Sequence, residues 1–198
     1  MEKAKRKIIG PREAAWCIAL ALLLGVMLYV NFSPSSGTAG AVYPAEPMEE
    51  NDGIPFGFQP GERVPDFTLT TTQGEAWALR AARGKVTVVN LWATWCAPCV
   101  QELPYFQEIY DRYGDDLAVL AIHSNLITDD VGAYLADRDF TLPFAVDEDG
   151  QVIASLGGST MLPQTIVLNP RGVVTYNQVG SVTLEKLTAL VEQAAGEQ

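Results

Sequence analysis

Apolar and polar positions divide the chain into three stretches. Ala14 to Val30 reads AAWCIALALLLGVMLYV, an uncharged apolar run of seventeen residues. At about 1.5 Å of rise per residue, a helix of that length sits at the short end of what spans a bilayer. Trp16 and Tyr29 lie near its two ends, where aromatic rings suit the membrane interfaces. Asn31 to Pro60 keeps neither a helical nor a strand period. It holds Pro34, Pro44, Pro47, Pro55 and Pro60 and the acids Glu46, Glu49, Glu50 and Asp52. That composition predicts an extended spacer, whose aromatic Tyr43, Phe56 and Phe58 can dock its end on the rest of the chain.

From Gly61 the pattern changes. Phe67 and Leu69, then Trp77 and Leu79, alternate with polar residues on either side of Gln73-Gly74, which predicts a short hairpin. Val86 to Trp92, VTVVNLW, is nearly all apolar and rich in β-branched residues, as a strand buried on both faces should be. Ala97 to Tyr113 reads as a helix kinked at Pro104, and Leu117 to Ile122 as a second buried strand. Thr128 to Arg138 reads as a helix with Asp129 and Asp130 in its first turn, where the helix dipole favours them. Thr165 to Leu168 and Val173 to Val179 flank Asn169-Pro170-Arg171-Gly172 and predict a second hairpin. Thr183 to Ala195 closes the chain as a helix with Leu184, Leu187, Leu190 and Val191 on one face. The order is hairpin, βαβ, helix, hairpin, helix, an α/β domain with a central mixed sheet covered by helices.

Charge orients these stretches. Residues 1–30 carry Lys3, Lys5, Arg6, Lys7 and Arg12 against Glu2 and Glu13, a net of +3 in a chain whose formal net charge is −11. The basic cluster lies only before the apolar run, so the positive-inside rule puts the N-terminus in the cytoplasm and the rest of the chain outside. The run is longer than most signal-peptide cores and no small-x-small site follows it closely, which favours a single-pass anchor over a cleaved signal. The expected organisation is a cytoplasmic basic segment and anchor over 1–30, a spacer over 31–60, and one domain over 61–198. The acidic body argues against nucleic-acid binding.

The chemistry lies in the cysteines. Cys17 falls inside the apolar run and reads as a small apolar residue. Cys96 and Cys99 form a C-x-x-C with no second such pair, and His123 is the single histidine, so a zinc tetrahedron is not encoded. Cys96 follows a buried strand and opens a helix, beside unpaired N–H groups and the positive end of the dipole. Such settings lower a thiol pKa from about 8.5 to roughly 3.5–7.5. Cys99, one turn on, is less exposed and within reach of Cys96. Cys96 is therefore the expected attacking thiol and Cys99 the resolving one. Pro98 fits the first helical turn, where its missing N–H costs nothing. His123 closes a strand, and a lone histidine there reads as structural.

Three segments carry a family resemblance: NLWATWCAPCVQELP from Asn90 to Pro104, PGERVPDFTLTTTQGE from Pro60 to Glu75, and MLPQTIVLNPRGVV from Met161 to Val174. They resemble the TlpA-like and ResA-like membrane-anchored thioredoxins of the redoxin (AhpC-TSA) superfamily. The resemblance implies a thioredoxin-like fold and thiol-disulfide exchange without a cofactor. It implies a protein disulfide as substrate, a membrane or extracytoplasmic dithiol as electron donor, and often service to cytochrome c assembly or thiol maintenance. It makes Pro163 a cis-proline facing the C-x-x-C, with the backbone of Leu162 turned toward an extended substrate. Trp95, Ala97 and Pro98 join Leu162 as expected substrate contacts, while Trp92 reads as core. On spacing alone Glu102, at i+3 from Cys99, is equally an exposed carboxylate suiting the dipole or a proton acceptor for Cys99. The resemblance favours the acceptor. Ordinary thioredoxins carry a buried Asp where this chain has Asn90, and the TlpA-like group often has Asn. Because Asn cannot take a proton, any acid-base role passes to Glu102 or water.

Two other functions share parts of this pattern. A peroxiredoxin-type peroxidase shares the VPDFTL opening but needs P-x-x-x-T-x-x-C, which Asn90 to Cys96 lacks. A copper chaperone of related fold would use C-x-x-x-C and a distant histidine, which are absent here.

Overall fold

The computed structural model describes residues 52–124, 130–158 and 161–197. The expected anchor and most of the spacer lie outside these residues. Among the described residues no helix is long and apolar enough to cross a membrane.

Thr68–Thr70 (β1) and Ala76–Ala78 (β2) pair antiparallel, with Leu69 opposite Trp77. A one-turn 3-10 segment, Leu79–Ala82, then leads to the main sheet. Its strands are Val86–Trp92 (β3), Leu117–Ser124 (β4), Phe144–Asp147 (β5), Gln164–Leu168 (β6) and Val174–Val179 (β7), in spatial order β5-β4-β3-β6-β7. β3 runs parallel to β4 and β4 to β5, whereas β6 is antiparallel to both β3 and β7. The helices are Ala97–Tyr113 (α1), Val131–Ala136 (α2), Gln151–Ser155 (α3) and Leu184–Gly196 (α4). This is the thioredoxin-like arrangement of a mixed central sheet flanked by helices.

Every residue of the central strand β3 is buried, and its two-residue period sorts the core. Val86, Val88 and Trp92 face the cluster that holds Leu103, Phe106 and Ile109 of α1 and Leu187, Leu190 and Val191 of α4. Val89 and Leu91 face the cluster of Phe67, Leu69 and Leu79 from the hairpin region and Val152, Ile153 and Leu156 around α3. Asn90 alternates with Val88 and Trp92, so a buried amide points toward α1.

The helix expected over Thr128 to Arg138 is shorter, Val131–Ala136. Asp130 lies before its first turn as the N-cap, accepting from the Ala133 N–H at 2.8 Å, while Asp129 falls outside the described residues. Past Ala136 the Arg138 guanidinium stacks on the Tyr134 ring and donates to the Tyr134 carbonyl, ending the helix. The sequence pattern does not reveal β5 and α3. Both are short, and buried Asp147 at the end of β5 joins them by accepting from the Ile153 N–H at 2.7 Å. α1 continues as one helix through Pro104.

The end of the expected spacer is fastened to the domain. The Arg63 guanidinium donates twice to the Asp52 carboxylate, at 3.0 and 2.7 Å, and holds that carboxyl down at about 2. Gly57 N–H donates to the Arg63 carbonyl and Arg63 N–H to the Pro55 carbonyl. Just beyond, Gly61 and Glu62 exchange backbone hydrogen bonds with Val174 of β7.

Candidate active site

β3 delivers the chain to the site. After Trp92 a short loop leads to Cys96, the N-cap of α1, whose Sγ accepts from the Cys99 N–H at 3.3 Å. Pro98 lies in the first helical turn, as its φ and missing donor allow. Cys96 and Cys99 are joined as a disulfide with their Cα atoms 5.2 Å apart. Cys96 retains 5% of its surface and Cys99 none, so an incoming sulfur meets Cys96 first. Around it, Trp95 is 45% exposed, and Ala97 and Pro98 are exposed.

The second wall comes from β6. Its pairing sets Gln164 opposite Leu91. The residues just before Gln164 therefore lie beside those that follow β3, on the approach to Cys96. The Leu162–Pro163 peptide is cis. Pro163 is buried, Leu162 packs half-buried against both halves of the core, and Met161 is 63% exposed.

Glu102 sits beneath the pair. It is only 1% exposed, which removes the reading of a solvated surface carboxylate. Oε1 accepts from Asn90 Nδ2 at 2.9 Å and Oε2 accepts from the Val182 N–H at 3.0 Å. Burial, opposed by those two donors, pushes its carboxyl up to about 7. Cys99 and Glu102 lie three residues apart on the buried face of α1. A carboxyl there that is half ionised near neutral pH suits proton exchange with a thiol. Sequence reasoning missed its two donors. The alternation of β3 could have found Asn90, an amide on the face that α1 covers. Nothing local marks Val182, eighty positions away along the chain.

His123 is fully buried, and its Nε2 accepts from the Thr94 N–H at 3.2 Å. Its ring stands edge-on to buried Trp92, with centroids 5.2 Å apart. Both residues close the core below the active-site loop. Among the described residues no group of His, Cys, Asp or Glu is placed to hold a metal ion.

Comparisons with known proteins agree with this geometry. Residues 60–177 match the AhpC/TSA family. A thioredoxin-like protein, YneN, from Bacillus subtilis is 35% identical over 134 residues, 66% of this chain and 78% of that protein. The thiol-disulfide oxidoreductase ResA of Geobacillus thermodenitrificans is 29% identical over 193 residues, 97% of this chain and 98% of that protein. Among solved structures, a putative thiol:disulfide interchange protein DsbE from Chlorobium tepidum superposes with a TM-score of 0.62 at 26% identity, covering 69% of this chain and 98% of that one. The exposed lipoprotein thioredoxin Etrx1 of Streptococcus pneumoniae gives a TM-score of 0.60 at 25% identity, covering 65% and 98%. With a C-x-x-C disulfide at the head of α1 and relatives of this kind, the chain belongs to the AhpC/TSA family as a thiol-disulfide oxidoreductase.

Proposed function

We propose that the chain is a membrane-anchored reductase of protein disulfides working outside the cytoplasm, in cytochrome c maturation or thiol maintenance. The observation that carries the reading is Glu102. A buried carboxyl poised near 7 beside the resolving cysteine equips the dithiol to complete the release of reduced substrate. The basic flank of the apolar run from Ala14 to Val30 supports the location, as does the pneumococcal relative, whose name calls it exposed.

In the reducing direction Cys96 thiolate, stabilised at the head of a seventeen-residue helix, attacks one sulfur of a substrate disulfide. A mixed disulfide forms and one substrate thiolate leaves. Cys99 passes its proton to ionised Glu102, and its thiolate attacks Cys96 Sγ. The second substrate sulfur departs as a thiolate, and the Cys96–Cys99 disulfide of this structure is the product. Two electrons have moved to the substrate, and an extracytoplasmic dithiol restores the enzyme. Trp95, Met161 and the backbone of Leu162 offer an apolar seat for an extended substrate segment.

Equilibrating the Cys96–Cys99 couple in dithiothreitol redox buffers tests the direction. A reductase should have a potential below about −230 mV, whereas one near −120 mV, the level of a strong disulfide donor, would reverse the assignment.

A further inference from the structure

One amide joins three separate segments on the α3 face of the sheet. Asn177, on β7, faces the same side of the sheet as its partner Ile166, the side occupied by α3. Its Nδ2 donates to the Phe58 carbonyl at 3.0 Å and to the Leu156 carbonyl at 2.9 Å. Its Oδ1 accepts from Gln164 Nε2 at 2.6 Å, and the same Nε2 reaches the Gly157 carbonyl at 3.4 Å. Both donors of Asn177 and an acceptor lone pair are thus committed. None of these bonds belongs to the strand ladder, which Asn177 joins separately through its backbone.

The three partners differ in origin. Phe58 belongs to the strap, residues 52–60, that precedes the domain and is latched by Asp52 and Arg63. Leu156 and Gly157 follow α3. Gln164 directly follows the Met161–Pro163 segment that flanks Cys96. The strap also makes an apolar contact there: the Phe58 ring lies on Gly157 where a Cβ would overlap it, and Gly157 has φ +68°. Only glycine meets both demands without strain.

We propose that Asn177 is a positioning residue through which the strap fixes the Met161–Pro163 segment, and with it the seat on which an extended protein substrate meets Cys96. Small disulfides do not use that seat and need only reach Cys96, which keeps 5% of its surface. Loss of the tie should therefore raise KM for a protein disulfide while the thiol chemistry is preserved. The proposal deepens the protein-disulfide reading above and rests on it.

The test uses the full-length chain with Asn177→Ala and Asn177→Asp. Asp keeps the size and the acceptor for Gln164 but loses both donors, setting a carboxylate against two carbonyls. Initial rates are measured on insulin and on the small disulfide dithiobis-nitrobenzoate. Both variants should raise KM for insulin by about fivefold, the net worth of one part-buried hydrogen bond, with kcat and the small-disulfide rate within about twofold of wild type. An unchanged KM for insulin, or an equal slowing on both disulfides, would overturn the proposal. Should neither variant fold by circular dichroism, Asn177→Ser serves instead, since the position is half-buried and the shorter hydroxyl cannot reach all three partners. It should raise KM severalfold, and an unchanged KM would again overturn the proposal. A wild-type chain inert toward insulin but reactive toward the small disulfide would overturn the protein-substrate reading itself and the proposal with it.

Discussion

Asn90 donates from Nδ2 to Glu102 Oε1 at 2.9 Å, and its own Oδ1 is buried with no partner among the described residues. As placed, the amide serves the ionised carboxylate. Turned over about its last torsion, it would present Oδ1 to the same atom and accept from a protonated carboxyl. One side chain can therefore satisfy Glu102 before and after it takes a proton, which an aspartate on β3 could not do without adding a charge.

That pairing makes Glu102→Gln a usable probe, because the turned Asn90 amide can accept from the new side-chain NH2. First attack by Cys96 should stay near the wild-type rate. Release of the mixed disulfide should slow by up to about 10²-fold, the lower range for a positioned acid-base group. The wild-type inflection near pH 7 should disappear from the release step. Stopped-flow with a disulfide substrate from pH 5 to pH 9 measures both steps. Unchanged release would leave water as the acceptor.

Stability should carry the same signature. Burial raises the Glu102 carboxyl from 4.5 to about 7, so between those pH values the folded chain holds a proton that the unfolded chain has lost. Stability then falls as pH rises through that window, by up to about 3 kcal/mol, and levels off above it. Asp147, also raised by burial, acts in the same direction, so the comparison with Glu102→Gln isolates the Glu102 share. Urea midpoints of the oxidised protein at pH 5, 6, 7 and 8 should show a shallower slope in the variant. Equal slopes would place the titration elsewhere.

Location is tested by fusing a reporter after Val30. The basic residues lie only on the N-terminal flank of the apolar run, so a reporter active only outside the cytoplasm should give signal. Signal from a cytoplasmic reporter would refute the orientation.

Much of the fold was legible because β3 and the two hairpins are written in local patterns. VTVVNLW can satisfy only a doubly covered strand, and Gln73-Gly74 and Asn169-Pro170-Arg171-Gly172 mark their turns. β5 was hidden by its four-residue length, too short for a period to emerge. α2 was overextended because Asp129 and Asp130 look like a first turn, whereas Asp130 caps the helix and Arg138 ends it. At the site, the placement of Cys96 followed from strand and helix alone. The burial of Glu102 did not, since its donors come from the middle of β3 and from Val182 before α4. The tie from Phe58 to Asn177 spans 119 positions and has no local mark.

Cys96 attacks and Cys99 resolves, an order that trapping of the mixed disulfide reads out. The full-length Cys99→Ser and Cys96→Ser variants are reduced, mixed with a protein disulfide and quenched with acid, and the mixed disulfides are identified by mass. The 5% of its surface that Cys96 keeps at the helix head, against full burial of Cys99, predicts a stable adduct through Cys96 in Cys99→Ser and none in Cys96→Ser. Equal trapping by the two variants, or trapping through Cys99 alone, would refute this division of roles between the two cysteines.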